Sequence, residues 1–240
     1  MKNRFILSSL LAAALISQPG YAQEIDYDAF GADLDEVHAA LDRGFELDGT
    51  NREAAISSFT LVAKKAEAML EEYQGLDDTD RLDLHYQAGH GWYYSAATYS
   101  RLADEAADDL QRQAHSEAML TNLLLAESHY EQVYAYEGQR LNPAEYYFTA
   151  TMLAEYGVET DDPRKVEWAA LEVKAARQRV AQADRLEFMD PWSSRNELIR
   201  ALVAYSRLAE DDAALEEARE LFADFPEDDF NYRPLSELIG

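Results

Sequence analysis

Apolar residues return at helical spacing along nearly the whole chain, and the pattern breaks at only seven places: 48–51, 75–80, about 103–109, 138–142, 157–163, 187–194 and 210–212. Many short strands would need more turn punctuation than the 10 Gly and 6 Pro of these 240 residues supply. The expected fold is all-α, with about eight helices. Helix-end chemistry fits several breaks. Asn142 is placed to cap a helix whose first residue is Pro143, and Asp162 to do the same before Pro163. Gly75, Gly138 and Gly157 stand where helix ends favour left-handed backbone.

The first 22 residues read as a secretory signal rather than as part of the fold. Lys2 and Arg4 precede an apolar run from Phe5 to Ile16, and small residues at Gly20 and Ala22 suit cleavage before Gln23. The run is too short to span a bilayer, and no 18-residue apolar stretch follows it. A periplasmic product is expected. Without Lys2 and Arg4, 19 basic residues face 47 acidic ones, a charge of −28. Such a field repels nucleic acid and anionic lipid and favours a cationic partner or a salty exterior. The chain contains no Cys, so disulfides are excluded although the compartment permits them.

Internal repetition narrows the architecture. Tyr99-Ser100-Arg101-Leu102-Ala103 recurs letter for letter as Tyr205-Ser206-Arg207-Leu208-Ala209, and Leu153-Ala154-Glu155-Tyr156-Gly157 lies between them in the same helical phase. Stepping back by the same interval reaches Phe45 and Gly49. Four hairpins follow, at about 28–74, 79–137, 143–184 and 193–226, with 227–240 as a C-terminal tail. The chain at this point resembles the tetratricopeptide repeat (TPR) family. Leu198, Ala201, Leu202, Tyr205 and Ala209, then Ala214, Ala218, Leu221 and Pro226, fall at that family's positions and spacing. Trp92, Ser95, Ala96, Tyr99 and Ala103 match the first-helix pattern in the second hairpin, and Tyr146, Thr149, Ala150, Leu153 and Gly157 in the third. In the first hairpin Leu41, Phe45 and Gly49 take these positions, and only the last hairpin keeps the usual repeat length. The resemblance implies antiparallel hairpins stacked as a solenoid over residues 23–226. One hairpin cannot bury its apolar face alone, whereas stacked neighbours share a core.

Nothing in the chain specifies an enzyme. Nucleophile elbow, phosphate loop, zinc-helix and dinucleotide motifs are all missing. His85 and His90 are five apart, hence about 140° apart around a helix, where one-face metal ligation needs a spacing of three or four. Asp77, Asp78, Asp80 and Asp83 read as a helix-capping turn, because the glycine and terminal acid of a calcium loop are missing. No metal and no cofactor are expected.

The aromatic distribution is the stronger clue. Ten of the 15 Tyr lie from Tyr86 to Tyr156, where they either fill a core or line a recognition surface. In the TPR-derived register the first helices line a concave face. The residues projecting into it are His90, Tyr93 and Arg101, then Tyr147 and Glu155, then Asn196 and Arg207. Arg101 and Arg207 are expected either to pair with nearby acids such as Asp104 and Glu210 or to receive a partner's carboxylate. The expected function is a non-catalytic scaffold for another periplasmic or outer-membrane protein. The alternative is a small-molecule-binding accessory protein of a transport system.

Overall fold

The computed structural model describes residues 25–136, 141–183, 185 and 189–240. Among these residues there are nine α-helices and no strand: α1 Tyr27–Asp48, α2 Arg52–Glu72, α3 Asp78–Asp104, α4 Asp109–Tyr134, α5 Ala144–Glu159, α6 Lys165–Ala183, α7 Pro191–Ala209, α8 Asp212–Ala223 and α9 Tyr232–Ile239. The fold is all-α, and none of these helices is long and apolar enough to cross a membrane. The expected leader over 1–22 and the turn at Gly138 lie outside the described residues.

Part of the chain's acidity is explained by how the helices begin. Asp26, Asp77, Asp108, Asp190 and Asp211, with Asn51, each accept backbone N–H groups of a first turn. A carboxylate there satisfies orphan donors and faces the positive end of the helix dipole. The acidic turn at Asp77 is such a cap, its Oδ1 accepting from Asp80 N at 2.9 Å. At the two proline breaks the geometry shifts. Asn142 Oδ1 accepts from Ala144 N at 3.1 Å, but the cap position belongs to Pro143 itself. Asp162 Oδ1 accepts from Arg164 N at 2.8 Å, before a helix that starts only at Lys165.

Consecutive helices pack on one another from α1 to α8, and α9 packs against α7 and α8. Of the first-helix positions carried by the repeat, Trp92, Ser95 and Ala96 on α3, Tyr146, Thr149, Ala150 and Leu153 on α5, and Leu198, Ala201 and Leu202 on α7 are buried, whereas Tyr99, Tyr205 and Ala209 are half-buried. Ala or Ser at such contacts lets helix axes approach closely.

Three expectations change. In the first hairpin Phe45 is 46% exposed, and the buried stripe of α1 runs through Val37, Ala40 and Gly44 instead. Gly44 leaves room for the Phe59 ring, which a Cβ there would meet at 2.3 Å. Gly157 does not end α5. It is buried inside the helix against Trp168, and the left-handed residue beyond is Asp161, at φ 53°. Residues 227–240, expected as a tail, contain α9. Its Leu235 is fully buried, and Tyr232, Leu238 and Ile239 pack beside it on the largest core.

Candidate functional site

The odd-numbered helices α1, α3 and α5 meet along one side of α3. From α1, Asp48 accepts both Arg101 Nη2, at 2.6 Å to each carboxylate oxygen, and Thr98 Oγ1 at 3.1 Å. Phe45 stands edge-on to Tyr94 with ring centres 4.7 Å apart. From α5, Glu145 Oε1 accepts the Tyr94 hydroxyl at 3.2 Å, and Glu145 Oε2 lies 3.5 Å from His90 Nε2. The Asn142 carbonyl before α5 accepts the hydroxyls of Tyr86 (3.2 Å) and Tyr134 (2.7 Å). Residues 86, 90, 94 and 101 fall on one helical stripe because four- and seven-residue steps return to the same face.

Glu145 is the electrostatic centre. Burial pushes its carboxyl pKa up, but the His90 and Tyr94 contacts outweigh burial and hold it below the usual range. The same carboxylate, after burial, raises the hydroxyl pKa of Tyr86, Tyr93 and Tyr94, that of Tyr93 to about 12. These phenols stay protonated, and those of Tyr86 and Tyr94 donate to the Asn142 carbonyl and to Glu145. Beyond Glu145 on α5, the exposed Phe148 and the buried Tyr147 lie under the Arg179 guanidinium of α6, at 5.7 and 5.5 Å. Arg179 in turn holds Glu197 of α7 in a bidentate pair.

The seven residues expected to project from the first helices fare differently. His90 and Tyr93 are half-buried beside Glu145, and Tyr147 is buried under Arg179. Arg101 is committed to Asp48, not Asp104. Arg207 donates to the Leu238 carbonyl of α9 at 2.8 Å, not to Glu210. Asn196 accepts from Arg200 within its own helix at 2.9 Å. Glu155 is exposed, and its pKa is raised by local burial and by Glu159. The structure thus groups His90, Tyr93 and Tyr94 around Glu145 and sets Asn196 and Arg207 apart. Tyr94 was signalled by its i+4 spacing from His90. No sequence signal identified Glu145, whose partners come from another helix.

On another side of α3 a chain of polar contacts joins α2, α3 and α4. Trp92 Nε1 donates to Glu67 Oε1 at 2.7 Å, His129 Nε2 lies 3.0 Å from the same oxygen, and the Nδ1 atoms of His129 and His85 are 3.0 Å apart. The two ring nitrogens of His129 thus link Glu67 of α2 to His85 of α3. No group of three or more potential ligands among the described residues is arranged to hold a metal ion. Burial, with the His129 and Arg81 charges, pushes the His85 pKa down to about 4. An imidazole depressed in the folded state is protonated first in the unfolded chain, so it destabilises progressively as pH falls from about 6.5 towards 4. His85→Gln should flatten the fall in melting temperature across that window; a slope identical to wild type would show that His85 is not the linked group.

Compared with known proteins, the chain matches no family model, no curated protein and no solved structure.

Proposed function

We propose that this is an exported, non-catalytic interaction module whose hairpins stack as a TPR-like solenoid, and that the side formed by α1, α3 and α5 is its partner-binding groove. The observation that supports it is the half-open aromatic strip on that side. Phe45 (46% exposed) packs on the half-buried Tyr94, which touches Tyr93 and the low-pKa carboxylate of Glu145, and Phe148 (41%) follows one turn after Glu145 on α5. Exposed aromatic rings beside buried hydroxyl donors provide contact area and direction, the usual composition of protein-recognition patches. Burial of the repeat positions Trp92, Tyr146 and Leu198 supports the stacked register. Export rests on the Lys2/Arg4 leader pattern and its small-residue cleavage site. The partner on this reading is another periplasmic or outer-membrane protein.

Affinity capture from periplasmic and membrane extract, followed by titration of the captured partner, tests the groove. Tyr93→Ala, Phe45→Ala and Phe148→Ala should each weaken binding roughly tenfold or more, as loss of a desolvated aromatic anchor costs about 2 kcal/mol. Arg101→Ala, which removes an internal tie to Asp48, should leave affinity within about twofold, since an exposed ion pair is worth under about 1 kcal/mol. Unchanged affinity in all three aromatic variants, with melting temperatures retained, would move the binding surface elsewhere.

A second reading, a small-molecule-binding accessory protein, is favoured by one observation: several buried polar atoms around Glu145 have no hydrogen-bond partner.

A further inference from the structure

Buried polar groups are nearly always paired, so a cluster of unpaired ones marks something to be bound there. Both ring nitrogens of His90, the Tyr130 hydroxyl and Glu145 Oε2 are shielded from solvent and lack hydrogen-bond partners. These atoms belong to one neighbourhood. The His90 ring is 4.1 Å from Tyr86, 5.7 Å from Tyr94 and 6.4 Å from Tyr130, and Tyr86 and Tyr130 are 6.2 Å apart. Tyr130 is fully buried, and its phenol reaches this place only because residue 89 is glycine: a Cβ there would meet the ring at 2.7 Å. The Glu145 charge acts on the Tyr130 hydroxyl after burial itself.

A carboxylate whose second oxygen has only the His90 ring beside it, at 3.5 Å, and which sits among electron-rich rings, has the chemistry of a cation site. We propose that Glu145, walled by Tyr86, His90, Tyr94 and Tyr130, binds an organic ammonium group. The carboxylate is the counter-ion, and the ring faces attract the cation through their quadrupoles. Among the described residues no Lys or Arg forms an ion pair with Glu145; its nearest basic group is His90, 3.5 Å away. An arriving N–H donor meets Glu145 Oε2. The chain's charge of −26 draws cations towards the site from a distance. The side chains of His90 and Glu145 keep 13% and 16% exposure, although their unpaired atoms are shielded. The ammonium comes either from a free amine or from a lysine of a protein partner. The inference rests on the geometry around Glu145 and stands whether or not the surrounding strip binds a protein.

The test is calorimetric and thermal titration of the chain lacking residues 1–22 with butylammonium, tetramethylammonium and neutral 1-butanol. Butylammonium should bind saturably and raise the melting temperature, butanol should do neither, and Glu145→Gln should weaken butylammonium at least tenfold. Paired short peptides differing by lysine against norleucine identify the source. A lysine peptide binding tighter than butylammonium assigns the site to a partner protein, and the reverse order assigns it to a free amine. Should Glu145→Gln fail to fold, the His90 ring resonances of the unmutated chain are followed by NMR, where butylammonium should shift them at saturation. Absence of ammonium-specific binding, equal binding by Glu145→Gln, or unmoved His90 resonances would overturn the proposal. Ammonium binding without any captured partner would uphold it while removing the protein-binding reading.

Discussion

Gly91→Ala should lower the melting temperature by several degrees, the opposite of what alanine ordinarily does in a helix. Gly91 sits in α3 where α2 crosses it, and a Cβ there would meet Ala63 N and Phe59 O at 2.5 Å each. Both are backbone atoms of a packed helix, so relief requires the two helices to move apart. Overpacking of this kind costs about 3 kcal/mol, and the better helix propensity of alanine returns only about 1. The net loss of about 2 kcal/mol corresponds to roughly 4 to 8 °C in a chain of this length. Gly31 in α1 is the internal control, because a Cβ there meets nothing within 4 Å. Gly31→Ala should raise stability by about 0.5 to 1 kcal/mol. Paired thermal melts check both signs, and a neutral Gly91→Ala would mean that α2 and α3 do not cross there.

The second large effect concerns the pair that ties α6 to α7. Arg179 and Glu197 have side chains only 12% and 16% exposed, and Arg179 also covers Tyr147 and Phe148. Arg179→Met should cost about 3 kcal/mol at pH 7, because it strands a buried carboxylate. Glu197→Gln added to that variant should recover most of the loss, since a neutral amide is far cheaper to bury. Burial already raises the Glu197 pKa, against the lowering effect of Arg179. Removing the arginine raises it further. A carboxyl whose folded pKa lies above its unfolded value destabilises at high pH, and the penalty fades as pH falls through the folded pKa. The deficit of Arg179→Met relative to wild type should therefore shrink between pH 7 and pH 4; a deficit constant with pH would show that Glu197 is not its cause.

Most of the secondary structure was legible because it depends on local signals. Period, caps and breaks fix where helices begin and end, and burial of Ala96, Ala150 and Ala201 follows from the repeated pattern. Errors arose where a distant residue decides. Phe45 looked like the buried aromatic of the first hairpin, but Phe59 from α2 fills the space over Gly44, turning Phe45 outwards. Helix α9 was readable from Tyr232, Leu235, Leu238 and Ile239 at helical spacing, yet Pro234 and its shortness masked the pattern. The identical pentapeptides around Arg101 and Arg207 gave no guide to their partners, since Asp48 and the Leu238 carbonyl come from different elements. The site itself was half-legible. The Tyr-rich segment pointed to α3 and α5, but the encounter of His90 with Glu145 is a product of helix packing, and tertiary contacts leave no local trace.

The groove reading is tested most directly by site-specific photocrosslinking in the native compartment. A benzophenone-bearing phenylalanine placed at Phe45 or Phe148 replaces an exposed aromatic ring with a slightly larger one. The same residue at Leu61 of α2 or Leu110 of α4, 55% and 79% exposed, samples positions away from the aromatic strip. On irradiation of whole cells, positions 45 and 148 should give one common adduct of defined mass, and positions 61 and 110 should not. Adducts confined to 61 or 110, or none at 45 and 148 while the protein remains folded, would contradict the account.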